Sequence, residues 1–240
     1  MKAPPLPPWL FPLLACPRCR TPLQTERDIQ CPTCHRRFPM VRGFLDLRDG
    51  QERLHLWALN RFPPVTQFYD LWRMRSTGLL SRGHLSFGEE LELLKTWLLP
   101  AGPPFLDVGT GTGLYRVALG ERAIGLDPSP TFLEVAQRKR PGTYLLGHGE
   151  ALPLATGSMG GVAIGPTWNE LWDPKRALSE AHRVLRPGGR LFGMLLLGPG
   201  PSFGLWRPDP EAFLAVVREH GFLAQLRVLG TLGLLLAEAH

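Results

Sequence analysis

Short apolar runs alternate with amphipathic segments along the second half of the chain. Such runs predict β-strands, and segments with apolar residues three or four apart predict helices. We predict strands at residues 105–107, 123–127, 143–147, 161–165 and 189–197 and helices at 131–140, 174–185 and 210–220. This alternation indicates an α/β fold with a parallel, doubly wound sheet, whose ligands lie at the carboxyl ends of the strands. The final runs, 223–229 and 232–238, predict an antiparallel hairpin that turns near Gly230.

The region from residue 49 to residue 99 has helical periodicity. We predict helices at 51–60 and 89–99, with a break at the prolines of 62–65. Leu91, Leu94 and Leu98 share one face of the second helix and should pack on the sheet. Aromatic residues are concentrated at 68–73, a segment that includes Tyr69. This segment is either a lid over a ligand or part of the core of the helical layer.

The strand that begins at residue 105 runs into a glycine-rich loop. Asp107 ends the strand, and three glycines follow at alternate positions, namely Gly109, Gly111 and Gly113. Glycine is needed where the backbone leaves a strand sharply, takes a positive φ or approaches a ligand closely. The spacing is not that of a dinucleotide loop, and the loop lacks the lysine of a phosphate-binding P-loop. We therefore predict a cofactor with an amino acid and a ribose but no phosphate, which describes S-adenosylmethionine.

Asp127 ends the strand at 123–127. A carboxylate in this position can accept hydrogen bonds from both hydroxyls of a ribose, as in dinucleotide-binding folds. Its alternative role is to cap the next helix, for which Ser129 and Pro130 supply an N-cap and a first helical residue. The complete set of predicted cofactor contacts is Asp107, Gly109, Thr110, Gly111, Gly113, Leu126, Asp127, His148, Gly149, Glu150 and Gly165.

Four cysteines form two C-x-x-C pairs near the N-terminus. They are Cys16, Cys19, Cys31 and Cys34, with eleven residues between the pairs. Two such pairs are typical of one tetrahedral zinc site, and the metal supplies folding energy that a short segment cannot obtain from a core. The alternatives are two disulfides, which a cytoplasmic protein disfavours, or a redox pair, which needs a βαβ context. His35 is a further candidate ligand, although we expect it to face solvent.

Composition restricts the partners of this protein. The formal net charge is +6 and the pI is about 9.5. This charge is compatible with a nucleic acid, but the basic residues are scattered rather than grouped. No apolar run reaches the roughly 18 residues of a membrane span, and the proline-rich N-terminus does not resemble a secretory signal. The expected localisation is cytoplasmic.

Two parts of the chain, the N-terminal segment with the cysteines and residues 100–222, resemble known families. The ribbon, from Leu13 to Leu47, resembles the zinc ribbon of the Trm112-like family, whose members activate or accompany methyltransferases. Residues 100–222 resemble the UbiE/type 11 methyltransferases. The motifs that carry this second resemblance are DVGTGTG at 107–113, GLDPS at 125–129, EALPL at 150–154 and RVLRPGG at 183–189.

The resemblance implies a Rossmann-like class I methyltransferase fold with a C-terminal hairpin and a fused N-terminal zinc ribbon. The expected domains are the ribbon at 1–48, a helical linker or lid at 49–99 and the S-adenosylmethionine-binding domain at 100–240. Two positions depart from the family pattern, because His148 and Gly160 replace aspartates. Adenine would then contact the backbone amides of Gly149 and Glu150, with His148 as an altered edge contact.

Methyl transfer requires chiefly that the acceptor be held in line with the methyl group. A general base is needed only for an unionised acceptor, and the candidates are His148, Glu170 and Tyr69. Trp168 and Trp172 could shape an acceptor pocket.

Three functions compete at this point. The first is methylation of a small, quinone-like molecule, which the UbiE-like motifs and the aromatic segment favour. The second is methylation of a guanine in rRNA, and the third is a non-catalytic partner protein that has kept the fold.

Overall fold

A computed structural model describes residues 6–24, 28–49, 63–199 and 204–240. Its nine-stranded sheet has the order β1-β2-β5-β4-β3-β6-β7-β9-β8. The strands are β1 (Met40–Val41), β2 (Phe44–Asp46), β3 (Phe105–Val108), β4 (Ala123–Asp127), β5 (Thr143–Leu146), β6 (Met159–Ile164), β7 (Leu185–Leu196), β8 (Phe222–Leu229) and β9 (Leu232–Ala239). The helices are α1 (Pro63–Leu80), α2 (Phe87–Leu98), α3 (Leu114–Ala118), α4 (Pro130–Lys139), α5 (Pro174–Val184) and α6 (Pro210–Glu219). Short 3₁₀ segments occupy Pro8–Leu13, Leu99–Ala101 and Pro166–Asn169.

The centre of the sheet is parallel, as the alternation of strands and helices predicts. Strand β3 pairs in parallel with β4 on one side and with β6 on the other. Strands β8 and β9 form the predicted antiparallel hairpin, which joins the sheet through β7. Ser129 caps α4 by accepting a hydrogen bond from the amide of Phe132, and Pro130 is its first residue. The doubly wound fold is confirmed.

The predicted break at 62–65 is wrong, because α1 begins at Pro63. Proline is tolerated in the first turn of a helix, where its missing N–H would have no intrahelical partner. The predicted helix at 51–60 lies outside the described residues. The helix predicted at 89–99 starts two residues earlier, at Phe87, where Ser86 and Glu89 form a capping box. Its face is as predicted, with Leu94 and Leu98 fully buried.

The N-terminal ribbon is joined to the catalytic sheet. Strand β2 pairs in parallel with β5, matching Leu45 with Leu145. On the other side of the ribbon, the amide of Ala15 donates to the carbonyl of Pro153 at 3.0 Å, and the amide of Ala155 donates to Leu13 at 2.8 Å. The domain boundaries at 48 and 99 stay predictions.

A buried carboxylate strengthens this junction. Arg20, which directly follows the first cysteine pair, lies 3.0 Å from the carboxylate of Glu180 in α5. The other oxygen of Glu180 accepts a hydrogen bond from the amide of Leu152 at 2.9 Å, and Arg183 binds the same carboxylate. The ribbon therefore contacts the motif at 150–154 directly and is linked to Arg183 of the motif at 183–189 through Glu180.

Gly160 is one of the two departures from the family pattern, and close packing explains it. A Cβ at this position would overlap the carbonyl group of Gly102, which is backbone and has no side chain to move aside. A guanidinium nitrogen of Arg186 lies 3.2 Å from the same carbonyl oxygen. Glycine is required here because the 3₁₀ segment at Leu99–Ala101 brings the backbone against β6.

We expect Gly160→Ala to lower the free energy of unfolding by about 1–3 kcal/mol, because the backbone must shift to accept the methyl group. The matched control is Gly88→Ala in α2, where the nearest atom to an added Cβ is 3.9 Å away. Alanine should stabilise that helix by about 0.5–1 kcal/mol. Urea unfolding of both variants measures the difference, and equal stabilities would contradict the close packing at Gly160.

Candidate cofactor and acceptor site

Asp107 organises the glycine loop at the carboxyl end of β3. Its carboxylate is 2% exposed. One oxygen accepts hydrogen bonds from the hydroxyl of Thr110 at 2.5 Å and from the amide of Arg116 at 2.9 Å. The same side chain thus fixes the loop and the start of α3.

The glycines of the loop have positive φ values, as the sequence predicts, and two of them are also crowded by neighbouring side chains. Gly109, Gly111 and Gly113 have φ values of 66°, 52° and 84°. A Cβ on Gly109 would overlap the side chain of Thr167, and one on Gly113 would overlap the hydroxyl of Tyr144. A side chain at either position would therefore be excluded by both the backbone and its neighbours.

Asp127 lies beside this loop at the end of β4. One carboxylate oxygen accepts a hydrogen bond from the amide of Gly111 at 2.9 Å, and the other accepts from the amide of Ser129 at 2.9 Å. The residue thus supports the glycine loop and also contacts the start of α4. A carboxylate oxygen accepts more than one hydrogen bond, so a carboxylate in this position is chemically suited to a ribose hydroxyl.

Two buried carboxylates so close together affect each other. Burial raises the pKa of Asp107 to about 7, and the negative charge of Asp127 adds to the effect. The hydrogen bonds from Thr110 and from the amide of Arg116 oppose it. Two carboxylates at neighbouring strand ends, beside a glycine loop without a lysine, suit a cationic ligand that carries hydroxyl groups, so these residues fit S-adenosylmethionine.

A small cleft lies between this loop and α1. Five of the predicted site residues line it, namely Tyr69, Asp107, Gly109, Thr110 and Gly165. Its other walls are Arg73, Leu114, Tyr115 and Pro166. The structure thus brings the loop, the end of β6 and the aromatic segment to one place.

The other predicted contacts lie along the neighbouring strand ends. Leu126 is 1% exposed and packs beneath Gly147. His148 is buried and its backbone bridges to Ala151. The carboxylate of Glu150 accepts hydrogen bonds from the amides of Trp172, at 2.8 Å, and Asp173, at 3.4 Å. Glu150 therefore holds the chain that follows Glu170.

Gly149 is enclosed by apolar side chains. A Cβ there would lie 3.0 Å from Val108 and 3.2 Å from Leu171. Trp168 is fully buried against Phe213, with ring centroids 5.8 Å apart, so it packs in the core instead of shaping a pocket. Contacts of Leu126, His148, Gly149 and Glu150 with a cofactor stay predictions.

Helix α1 roofs the cleft, which favours the lid interpretation of the aromatic segment. Tyr69 lies over the glycine loop, 3.5 Å from the position that a Cβ on Gly111 would occupy. Its ring meets the edge of Phe132 at a centroid distance of 5.1 Å. Asp70, the next residue, accepts hydrogen bonds from Thr112 at 2.5 Å, Lys139 at 2.9 Å and Arg140 at 3.0 Å.

A buried polar cluster behind the cleft was missed at the sequence level. Arg73 of α1 forms an ion pair with Glu90 of α2, and both side chains are at most 4% exposed. The hydroxyl of Thr77 donates to Glu90 at 2.6 Å, and Tyr115 also donates to this carboxylate. The available signal was Glu90 itself, because it occupies a core position in the otherwise apolar face of α2 that includes Leu94 and Leu98.

The cysteines form a compact metal site. The sulfurs of Cys16, Cys19, Cys31 and Cys34 all lie within 4.8 Å of one another. The separations are 3.4 Å for Cys16–Cys19 and Cys19–Cys31 and 3.7 Å for Cys16–Cys34. Four thiolates bound tetrahedrally at about 2.3 Å from zinc are about 3.8 Å apart, whereas a disulfide needs about 2 Å. The set fits a structural zinc ion, and His35 is exposed as expected.

Comparison with known proteins agrees with this geometry. The family described as "Methyltransferase domain" matches residues 106–193, and the family described as "Trm112p-like protein" matches residues 8–43. An uncharacterised methyltransferase of Mycobacterium tuberculosis is 40% identical over 121 residues, which cover 48% of each chain. The present chain therefore spans about half the length of that relative.

Two relatives are named demethylmenaquinone methyltransferase. The protein from Thermus thermophilus is 36% identical over 50% of this chain and 62% of its own length. The protein from Renibacterium salmoninarum is 33% identical over 70% of this chain and 67% of its own length.

Solved structures share the fold. An S-adenosylmethionine-dependent methyltransferase from Thermotoga maritima has a TM-score of 0.59 and 24% identity, covering 78% of this chain and 100% of its own. The complex of the Haloferax volcanii Trm112 activator with a methyltransferase has a TM-score of 0.60 and 16% identity, covering 80% and 99%. The chain belongs to the S-adenosylmethionine-dependent methyltransferases and carries a Trm112-like zinc ribbon at its N-terminus.

We expect Asp107 to make the stability of the cofactor-free protein dependent on pH. Its folded pKa of about 7 exceeds the ordinary value of 3.8, so the folded state keeps a proton that the unfolded state releases. The contribution of Asp107 to the free energy of unfolding is fully present below about pH 4 and is lost as the pH rises through 7. Between pH 5 and pH 8 the wild type should lose about 2 kcal/mol more than Asp107→Asn in urea unfolding. Parallel pH profiles would contradict this assignment.

Zinc removal should weaken the catalytic domain as well as the ribbon. Strand β2 and residues 13–15 contact β5 and residues 153–155 directly. We expect chelation of zinc, or Cys31→Ser, to lower the melting temperature by about 5–10 °C and to weaken cofactor binding. As the control, adding zinc back should restore the melting temperature and cofactor binding of the wild type but not of the variant. An unchanged melting temperature in the metal-free protein would exclude a structural zinc ion.

Proposed function

We propose that this methyltransferase transfers a methyl group to a small aromatic acceptor of the hydroquinone class. The proposal rests on the composition of the cleft walls that α1, the start of α3 and Pro166 form. Tyr69, Leu114, Tyr115 and Pro166 are apolar or aromatic, and the charge of Arg73 is neutralised by Glu90. A wall of this kind suits a flat, uncharged ring better than a phosphate-bearing one.

The names of two relatives agree with an acceptor of this class. The Thermus and Renibacterium proteins are named for demethylmenaquinone, and the alignment with the second spans most of the present chain. The motifs at 107–113 and 125–129, which resemble those of the UbiE/type 11 methyltransferases, also favour this acceptor class.

The bound cofactor would supply an electrophilic methyl group, so the acceptor must supply an electron pair. An oxidised quinone ring is electron-poor, whereas a hydroquinone is electron-rich, and we therefore specify the reduced form. The contribution of the chain is mainly positional. Asp127 would accept hydrogen bonds from the ribose, Asp107 would face the cationic end of the cofactor, and α1 would exclude water.

Tyr69 would act as a hydrogen-bond donor and not as a base. Burial raises the pKa of Tyr69, and the negative charges of Glu170, Asp127 and Asp107 add to the effect. The phenol is therefore protonated at neutral pH and can donate to an oxygen of the acceptor. Glu170 and His148 stay candidates for a base. The charge of Glu170 acts on Tyr69, and neither candidate is among the residues described as lining the cleft.

The arginines of the ribbon support an rRNA acceptor less well than the cleft supports a hydroquinone. A nucleic-acid surface needs arginines that are available to phosphates. Several arginines of the ribbon instead pair with acids of this chain, namely Arg20 with Glu180, Arg36 with Asp49, Arg42 with Glu134 and Arg48 with Asp46.

The test is transfer of a labelled methyl group to a reduced, short-chain demethylnaphthoquinone, to its oxidised form and to an rRNA fragment. We expect transfer to the reduced form alone. Tyr69→Phe should lower kcat/KM about 100-fold, because a buried donor to the reacting system is lost. The matched control is Tyr144→Phe, whose hydroxyl donates to the carbonyl of Arg140 at 2.7 Å, and we expect a change below about threefold.

Transfer to rRNA with no transfer to the hydroquinone would overturn the proposal. So would cofactor binding without transfer to any of these acceptors, since that result describes a non-catalytic partner protein.

A further inference from the structure

Helix α1 has the reverse polarity of an ordinary surface helix. Its described inward side chains are largely polar, and Thr66, Arg73, Ser76 and Thr77 are buried. Its outward side chains are large and apolar, with exposed fractions of 66% for Phe68, 52% for Leu71, 56% for Trp72, 54% for Met74 and 79% for Leu79. A surface helix normally turns its apolar stripe towards the core.

The inward contacts fix this orientation. Arg73 is paired with Glu90 and lies over the ring of Phe87, 5.0 Å from its centroid. One turn away, Asp70 is held by Lys139 and Arg140. Rotating the helix to bury the apolar stripe would expose these groups and leave the buried carboxylate of Glu90 without its cation, which costs several kcal/mol. The apolar surface therefore faces outward as a consequence of how the lid is anchored.

The exposed stripe is continuous with the roof of the cleft. Trp72 contacts Tyr69, with ring centroids 5.8 Å apart, and Tyr69 lines the cleft. Phe68, Trp72 and Leu79 follow one another at intervals of four and seven residues, so they lie along one line of the helix. We name Phe68, Leu71, Trp72, Met74 and Leu79 the lid stripe.

The charge around the lid stripe is positive. Arg75 is exposed on the same helix, and the exposed Arg82 follows its C-terminal end. Asp70 is the one acid in the sequence of α1, and it is already paired with two cations. Arg75 is three or four residues from Leu71, Trp72 and Leu79 and so lies within the apolar face, where its long side chain can keep the charge at the lipid headgroups. An exposed face of Phe, Leu, Trp and Arg suits the interface of an anionic membrane.

We propose that the lid stripe docks on the surface of an anionic phospholipid bilayer. A second copy of the chain fits less well, because a two-fold interface centred on this stripe would place Arg75 against Arg75. This proposal rests on the proposed function in one respect: docking would bring the cleft to a hydroquinone dissolved in the membrane. The docking itself requires neither cofactor nor acceptor.

The test is sedimentation of the zinc-loaded protein with vesicles of phosphatidylethanolamine containing 30% phosphatidylglycerol, without cofactor or acceptor. We expect Phe68→Ser/Leu79→Ser to bind about 100-fold more weakly, at roughly tenfold for each side chain withdrawn from the interface. The matched control is Leu223→Ser/Val228→Ser, which removes exposed apolar residues of β8 that are 58% and 47% exposed. This control should bind like the wild type.

A second measurement places the helix directly. Brominated lipids should quench part of the tryptophan fluorescence of the wild type and less of that of Trp72→Phe. Equal vesicle binding by the wild type and Phe68→Ser/Leu79→Ser would overturn the proposal. So would a lack of vesicle binding by a folded wild type, and a dimer that Phe68→Ser/Leu79→Ser dissociates would then assign the stripe to a second copy. Vesicle binding without hydroquinone methylation would leave the docking in place and remove the proposed acceptor.

Discussion

The arrangement of the site depends on one buried ion pair, between Arg73 of α1 and Glu90 of α2. The desolvation of two buried charges is offset only if each keeps its partner, and removing one partner of such a pair costs about 3–5 kcal/mol. Thr77 and Tyr115 add hydrogen bonds to the same carboxylate, so the pair is held from both helices and from the start of α3. Because Arg73 faces inward, Tyr69 lies over the glycine loop, and the apolar side of α1 faces outward. One interaction thus sets both the roof of the cleft and the character of the outer surface.

The zinc ribbon has a comparable structural role at the edge of the sheet that β1 and β2 form. Its folding energy comes from the metal, yet its strand β2 extends the catalytic sheet next to β5. Glu180 receives Arg20 from the ribbon, Arg183 from its own helix and the amide of Leu152 from the motif at 150–154. The ribbon is part of the same chain and is hydrogen-bonded to the catalytic sheet. It therefore supports the strand ends at which cofactor contacts are expected. Its position therefore explains why a closed metal site, with no open coordination position, belongs in a methyltransferase.

Local sequence patterns predicted most of the fold and part of the site. Short apolar runs identified β3 to β9, and the glycines and Asp107 identified the loop, because these signals lie within a few consecutive residues. The parallel pairing of β2 with β5 was not predictable, since it joins residues about 100 positions apart and neither strand specifies the other. Pro63 and Pro64 indicated a break, although proline is also compatible with a first helical turn. The Arg73–Glu90 pair was missed because a charged residue in an apolar helical face can be assigned to the core only when its partner is known.

The central claim is that the carboxylates at the ends of β3 and β4 bind S-adenosylmethionine. The most direct test is calorimetric titration of the zinc-loaded protein with this cofactor, repeated on Asp127→Ala. Because Asp127 also accepts a hydrogen bond from the amide of Ser129, the control is Asp209→Ala, which removes a helix-capping carboxylate at α6. We expect micromolar binding by the wild type and by Asp209→Ala and a loss of binding in Asp127→Ala. No binding by the folded wild type, or equal binding by all three proteins, would contradict it.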